Sequence, residues 1–161
     1  MGKVISVKEA IMISAKLHEQ NKTIVLAGGC FDILHLGHVE FLKKAKEKAA
    51  ALFVLLESDE KVKQIKGENR PIHSQEERAK VLSALEMVDY VVLLPYFMAN
   101  KDYDKLVISI KPDIIATTKA DKYRKHKERQ AKLLNAQVLD VIDRLPNKST
   151  NLLAQRLSHE L

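Results

Sequence analysis

Two histidines stand three residues apart where an apolar run ends and an amphipathic segment begins. His35 and His38 follow Gly28–Leu34 and flank Gly37. Imidazole N–H groups bind phosphate oxygens, and a helix N-terminus attracts anions through its free amides and its dipole. Gly37 also lets a ligand approach the backbone closely. These residues predict a triphosphate site that stabilises the charge that builds up during phosphoryl-group transfer.

The residues before the histidines are further candidates for nucleotide binding. Gly28 and Gly29 are expected to form a tight turn that approaches the phosphates, with Cys30 and Phe31 beside it, although packing alone also explains these two. Asp32 has two possible roles, as a cap for the turn or as a ligand that helps to hold Mg²⁺ on a triphosphate. Zinc is a weaker alternative, because no cysteine or acidic cluster completes a tetrahedral set nearby.

Apolar strand-like runs alternate with helical patterns along the chain. Strands are predicted at about 23–28, 51–56, 90–94, 113–117 and 137–141, and a polar loop at 57–74. Helices are predicted at about 6–20, 37–49, around Val81–Val88, at 102–110, through the basic run after 119, and from near Ser149. The pattern indicates an α/β fold, a single Rossmann-like doubly wound domain over 1–161 with a core from about 23. Its five parallel strands would carry helices on both faces, with ligands at their carboxyl ends.

Composition limits the classes of partner. The 161 residues suit one domain, and the net charge of +6 from 27 basic and 21 acidic residues favours anionic ligands. The basic run 119–132 predicts the solvated face of a helix, with a patch for substrate phosphate as the second interpretation. A nucleic-acid surface is a distant third, because the run has almost no aromatic residues. One cysteine, no secretion signal and no bilayer-length apolar run predict a cytoplasmic protein without a membrane partner.

The motif His35-Leu36-Gly37-His38 resembles the His-x-Gly-His signature of the cytidylyltransferase-like nucleotidyltransferase superfamily. In particular, the chain resembles the adenylyltransferase domain of the bifunctional heptose enzymes of lipopolysaccharide synthesis. The likeness covers about residues 5–117, and its blocks occur in the expected order. Besides the signature, these blocks are Val62-Lys63-x-x-Lys66-Gly67, Arg70-Pro71-Ile72, Arg78-x-x-Val81-Leu82, Ala84-Leu85-x-x-Val88-Asp89-Tyr90-Val91-Val92 and Lys111-Pro112-Asp113.

The resemblance implies transfer of AMP from ATP to a sugar 1-phosphate, here heptose 1-phosphate, giving ADP-heptose and pyrophosphate with Mg²⁺ as cofactor. It implies that His35, His38 and Lys66 are catalytic. It also implies that Lys63 and Arg70, in a loop that closes on the substrate, bind substrate phosphate. Relatives often form homodimers.

The roles of three further sets of residues are open, and two of these sets lie after residue 117, where the likeness weakens. Arg78 could bind substrate phosphate or equally be a structural ion-pair partner on a helix. The segment Thr117–Tyr123 lacks the glycines of the family's Lys-Gly-Gly-Asp-Tyr-like turn, and its Asp121 is a candidate contact to the substrate. Arg144, Ser149 and Thr150 match an element that contacts nucleotide phosphates in relatives, although Ser and Thr are also ordinary helix caps.

Three other functions fit the same signature. Cytidylyl transfer from CTP to glycerol 3-phosphate and adenylyl transfer from ATP to flavin mononucleotide differ only in their substrates. A nucleotide-binding protein without turnover is an alternative from a different class, consistent with the altered turn near Asp121. A class I tRNA synthetase fragment shares the motif, but a domain of this length has no anticodon module.

Overall fold

The computed structural model describes residues 1–119 and 121–142, which form one six-stranded sheet with helices on both faces. The strands are β1 (Lys3–Ser6), β2 (Ile24–Gly29), β3 (Ala51–Leu56), β4 (Tyr90–Leu93), β5 (Ile114–Thr118) and β6 (Gln137–Ile142). The helices are α1 (Val7–Glu19), α2 (Leu36–Lys46), α3 (Asp59–Lys66), α4 (Gln75–Ser83), α5 (Asn100–Ile110) and α6 (Arg124–Leu134). Every strand pair is parallel, which confirms the predicted α/β class.

Two elements were not predicted. The sheet has six strands, and the prediction of five missed β1. This strand is only four residues long and buries only Ile5, so its sequence has no alternating pattern of apolar and polar residues. The predicted loop 57–74 begins with helix α3, whose mostly polar residues bury only Val62. The first helix is as expected, with the Ser6 hydroxyl accepting from the Glu9 N–H at 3.3 Å in a capping box. The closing helix predicted near Ser149 lies outside the described residues.

Strand β2 shows how the sheet separates two cores. Ile24 and Leu26 point into the core under α1, α5 and α6, while Val25 and Ala27 point into the core under α2 and α4. All six residues of β3 are buried, as a central parallel strand covered on both faces requires. Both faces of the sheet are therefore covered by helices, and a ligand can bind only at the ends of the strands.

Two carboxylates fix the amino ends of the central strands. The Ile24 N–H at the start of β2 donates to Asp113 Oδ2 at 2.7 Å, and the Leu52 N–H in β3 donates to Asp89 Oδ2 at 2.7 Å. Lys46 at the end of α2 pairs with the same Asp89 oxygen at 2.7 Å. Both aspartates lie at the edge of the sheet opposite the His35-Leu36-Gly37-His38 signature, where their hydrogen bonds give them a structural role.

The order of the strands in the sheet is β1-β4-β3-β2-β5-β6. From β2 the chain proceeds to β3 and β4 on one side, and then crosses to β5 and β6 on the other. The carboxyl ends of β2 and β5 therefore flank the point where the strand order reverses, where open α/β sheets bind ligands. No helix in the described part of the chain is long and apolar enough to cross a membrane.

Candidate active site

A cavity of about 560 Å³ opens at the carboxyl edge of the sheet, beside this reversal point. Its floor is formed by the ends of β2, β3 and β5, and its walls by residues of α3, α5 and α6. Cationic groups at the cavity include Lys61, Lys66 and Lys127, whereas Glu57 and Asp121 contribute carboxylates. The cavity therefore carries both signs of charge at distinct positions.

The two signature histidines form a stacked pair at the start of α2. Their ring centroids are 3.9 Å apart with an interplanar angle of 26°. His35 is the N-cap of α2, and its Nδ1 accepts the Gly37 N–H at 3.1 Å. A neutral imidazole that accepts at Nδ1 carries its proton on Nε2, so this histidine is held as an Nε2–H donor.

His38 is the member of the pair that lines the cavity. Burial lowers the pKa of His38 to about 4, and electrostatic interactions with His35 and Lys66 add to this shift against a hydrogen bond to the Ile33 backbone. Its ring also meets Phe31 edge-on, with centroids 5.2 Å apart. Its Nδ1 is buried and has no hydrogen-bond partner among the described residues. His38 is thus a neutral imidazole with an unused nitrogen, next to a lysine.

The predicted glycine turn is wrong, because Gly28 and Gly29 are the last residues of β2. The ring of Phe31, which has a left-handed backbone (φ 45°), lies over Gly29, where a Cβ would come within 3.1 Å of it. Gly29 therefore makes room for Phe31, which is buried and also lines the cavity together with Cys30. Burial raises the pKa of the Cys30 thiol, which does not favour a thiolate nucleophile.

The first amides of α2 are also less available than predicted. The Gly37 N–H donates to His35 Nδ1, and the N–H groups of His38 and Val39 donate to the His35 carbonyl at 2.9 and 3.2 Å. Since these donors are paired inside the first turn, the side chains at the cavity supply its phosphate-binding capacity. In this structure the imidazoles and Lys66 are better placed for that role than the amides of α2.

Asp32 has a different role from either of those expected. It is 3% exposed, and its Oδ1 accepts the N–H groups of Ile72 and His73 at 2.8 and 3.2 Å. Its Oδ2 is hydrogen-bonded to Arg70 Nε. Both oxygens therefore hold the segment that precedes α4, so this carboxylate does not fit a Mg²⁺ ligand. The described residues contain no cluster of three or more His, Cys, Asp or Glu side chains that would hold a metal.

The three remaining basic candidates for substrate phosphate do not line the cavity, in contrast to Lys66. Arg78 is 2% exposed and donates to the carbonyls of His73, Cys30 and Glu57 and to Asp59 Oδ1, at 2.5–3.0 Å. The alternative of a structural ion-pair partner is therefore favoured for Arg78. Arg70 is engaged with Asp32, and Lys63 pairs with Glu68 at 2.7 Å on the exposed side of α3. Lys63 and Lys66 lie on this helix and not on the predicted loop.

Asp121 lines the cavity after β5, within a compact hydrogen-bond network. Its Oδ2 accepts from the Thr117 hydroxyl at 2.7 Å and from Lys127 Nζ at 2.6 Å, and its Oδ1 accepts the Tyr123 N–H at 2.8 Å. Burial raises the pKa of Asp121, but the hydrogen bonds from Lys127 and Thr117 outweigh it and the pKa is lowered. Thr117, Tyr123 and Lys127 are thus held together by this carboxylate.

Glu57 and Tyr103 also line the cavity and were not among the predicted site residues. The Tyr103 hydroxyl donates to Glu57 Oε2 at 2.8 Å. A sequence signal for Glu57 was present, because a polar residue directly after a buried strand lies at the ligand-binding edge of a parallel sheet. Tyr103 had no such signal, since it lies within α5, far away in sequence. Arg144, Ser149 and Thr150 lie outside the described residues.

Comparisons with known proteins agree with this geometry. The family model described as cytidylyltransferase-like matches residues 26–154. The chain is 43% identical over 150 residues to the bifunctional protein HldE of Nitratiruptor sp., covering 93% of this chain and 31% of that protein. It is 48% identical over 103 residues to HldE of Wolinella succinogenes, covering 64% and 21%. The chain thus spans about a third or less of these relatives.

Solved structures show the same fold. The lipopolysaccharide core biosynthesis protein from Thermoplasma volcanium has a TM-score of 0.65 at 29% identity, covering 77% of this chain and 99% of that one. Pantoate-beta-alanine ligase from Francisella tularensis has a TM-score of 0.65 at 16% identity, covering 100% and 79%, and shows the fold alone. With its His35-Leu36-Gly37-His38 signature at the reversal point of a parallel sheet, the chain belongs to the cytidylyltransferase-like family of nucleotidyltransferases.

Proposed function

We propose that this chain transfers AMP from ATP to heptose 1-phosphate, giving ADP-heptose and pyrophosphate. A phosphate oxygen of the acceptor forms a bond to the α-phosphorus of ATP. The bond from that phosphorus to the α,β-bridging oxygen breaks, and pyrophosphate leaves with the electron pair. The attacking oxygen is already anionic, so catalysis needs positioning and charge stabilisation more than a general base.

The observation that carries this proposal is the stacked His35–His38 pair beside the reversal point, with His38 and Lys66 lining the cavity. In the proposed reaction, the Nε2–H of His35 donates to a phosphate oxygen of ATP, and the neutral ring of His38 stacks on His35 and positions it. Lys66 supplies the full positive charge that two neutral imidazoles lack. Together these groups would stabilise the negative charge that moves onto the leaving pyrophosphate.

In this proposal, Mg²⁺ binds as a complex with the nucleotide. The Asp32 carboxylate is engaged on both oxygens, and Mg²⁺ in nucleotide enzymes is often bound mainly by substrate phosphates and water. We therefore propose Mg²⁺ as a companion of the triphosphate and assign it no protein ligand among the described residues.

The acceptor is inferred from the relatives. The matched curated proteins are named bifunctional protein HldE, and the Thermoplasma volcanium structure is titled a lipopolysaccharide core biosynthesis protein. Both lines support a sugar phosphate of lipopolysaccharide synthesis as the acceptor.

A panel of substrates tests the proposal. The purified chain is incubated with Mg²⁺ and ATP or CTP, together with heptose 1-phosphate, glycerol 3-phosphate or flavin mononucleotide, and pyrophosphate release is followed. We expect the highest kcat/KM for ATP with heptose 1-phosphate. Faster release with either other acceptor would contradict the assignment of the acceptor. Nucleotide binding by calorimetry with no release for any pair would contradict turnover itself.

A further inference from the structure

Glu57 is held rigidly at the cavity although its carboxylate has little structural use. Its backbone is fixed on both sides, since its N–H donates to the Gly29 carbonyl at 3.2 Å and its own carbonyl accepts from Arg78 Nη2 at 2.9 Å. Its side chain accepts one hydrogen bond, from Tyr103 to Oε2. The second oxygen, Oε1, has no hydrogen-bond partner among the described residues, and none of their Lys or Arg side chains forms an ion pair with it.

Such a carboxylate is costly without a partner. Burial raises the pKa of Glu57 above its ordinary value, and the Tyr103 hydrogen bond and the charges of Lys61 and Arg78 offset this only in part. A half-buried carboxylate with a spare oxygen at a ligand cavity is therefore a candidate for ligand binding.

The surrounding residues fix the position of the Tyr103 hydroxyl. The Tyr103 ring packs edge-on against Phe97, with centroids 5.0 Å apart and an interplanar angle of 82°. Lys61 Nζ lies 5.9 Å from the ring centroid and is held by the Phe97 carbonyl at 3.0 Å. Because Tyr103 gives its proton to Glu57, its own oxygen faces the cavity as an acceptor. Glu57 and Tyr103 thus form a pair of acceptors.

A pair of acceptors selects hydroxyl groups and repels phosphate. Lys66 and His38 are the groups suited to phosphate, and they belong to the end of α3 and the start of α2. Glu57 instead follows β3, on the β4 side of β2, away from the reversal point between β2 and β5 where a nucleotide is expected. The position of Glu57 matches the second substrate, not the nucleotide.

On the basis of the proposed function, we propose that Glu57 and Tyr103 bind sugar hydroxyls of the acceptor. Glu57 Oε1 accepts one hydroxyl proton of the sugar ring and the Tyr103 oxygen accepts a second. The acceptor then lies with its phosphate toward Lys66 and His38 and its hydroxyl face toward Glu57. The pair makes the cavity specific for polyhydroxylated acceptors.

Binding measurements on four variants test this inference. Glu57→Gln keeps the shape and removes the charge, and Tyr103→Phe removes the hydroxyl. The matched controls are Glu60→Gln, at an exposed position of α3, and Tyr96→Phe, at an exposed position outside the cavity wall. Calorimetry then gives the Kd of each variant for heptose 1-phosphate and for ATP.

We expect both variants to raise the Kd for heptose 1-phosphate at least about ten-fold. Glu57→Gln replaces one charged acceptor oxygen by an NH2 donor, and Tyr103→Phe removes the hydroxyl acceptor. Their Kd for ATP should stay within about two-fold of the wild-type value, as both Kd values should in the controls. An equal loss of ATP binding would indicate a purely structural pair and overturn the inference. Unchanged binding of heptose 1-phosphate would do the same.

Failure of heptose 1-phosphate to bind the wild-type chain would also overturn the inference. The panel of acceptors separates this failure from failure of nucleotidyl transfer itself. Pyrophosphate release with glycerol 3-phosphate or flavin mononucleotide would support the transferase reaction and contradict only the sugar acceptor. No release with any acceptor would contradict both the transferase reaction and the sugar acceptor.

Discussion

His35 combines two tasks in one side chain, and one substitution separates them. Its Nδ1 caps α2 by accepting the Gly37 N–H, and the opposite nitrogen is the proposed phosphate donor. Asn is a good N-cap residue but is too short to replace Nε2–H. We expect His35→Asn to keep the free energy of unfolding within about 1 kcal/mol and to lower kcat about 100-fold or more.

Pyrophosphate release and urea unfolding measure these two effects. His35→Ala is the companion variant, because it removes both the cap and the donor and should lose stability as well as activity. Activity within ten-fold of wild type in His35→Asn would contradict the catalytic role of this imidazole.

The buried imidazole of His38 makes stability depend on pH. Its pKa is about 4 in the folded state against 6.5 for the unperturbed group, so the unfolded chain binds more protons between these values. The resulting contribution to stability is full above pH 6.5 and is lost as the pH falls toward 4. We expect the free energy of unfolding to decrease over this window, and to decrease less steeply in His38→Asn.

Urea unfolding at a series of pH values gives this slope. His73→Asn serves as the control, because the His73 side chain is exposed. Parallel slopes in the wild type and His38→Asn would show that the His38 imidazole is not the group responsible.

Asp32 shows how a motif residue can serve the fold and not the chemistry. Its carboxylate is buried with Arg70 and two backbone N–H groups. Replacing one partner of a buried ion pair leaves the other charge uncompensated. We expect Asp32→Asn to lower the free energy of unfolding by about 3–5 kcal/mol. The exposed pair of Lys44 and Glu47 gives the control, since Glu47→Gln should leave the free energy of unfolding nearly unchanged.

Arg78 joins three separate segments from within α4. Its guanidinium binds the carbonyls of Cys30 after β2, Glu57 after β3 and His73 before α4. Lysine carries a single nitrogen and cannot reach three carbonyls in this planar arrangement. We expect Arg78→Lys to lower the free energy of unfolding by about 3–5 kcal/mol, as measured by urea titration. Arg124→Lys on α6, whose ion pairs are partly exposed, should leave the free energy of unfolding nearly unchanged.

The elements that could be predicted are those with their own periodicity. The wholly apolar β3 and the capping box of α1 are local signals, and the structure contains both. Helix α3 was missed because only Val62 of its eight residues is buried, although Ser58 followed by Asp59 and Glu60 is a readable helix start. Strand β1 was missed because partnership with β4, and not its own four residues, makes it a strand.

The site could be predicted only where its residues are close in sequence. The histidine pair follows from a four-residue motif, and the structure stacks the two rings. The contacts of Asp32 with Arg70 and of Glu57 with Tyr103 join residues separated by 38 and 46 positions. No local pattern contains such pairs, so the role of Asp32 as an anchor and the role of Glu57 at the cavity required the folded chain.

The positive charge of the whole chain should assist nucleotide capture. With a net charge of +6, a polyanion is attracted from a distance, and salt screens that attraction. We expect the association rate of ATP, measured by stopped-flow, to fall several-fold between about 0.05 M and 0.3 M NaCl. A rate that does not depend on salt would limit the role of charge to contacts inside the cavity.

Strand β1 borders the sheet and covers β4, whose Val91 and Val92 are fully buried. If the first six residues were removed, β4 would present a row of unsatisfied amides and carbonyls along an apolar border. An exposed strand edge of this kind can form backbone hydrogen bonds with a strand of another polypeptide. A chain shortened in this way would therefore be prone to self-association, which light scattering would detect as a rise in particle size.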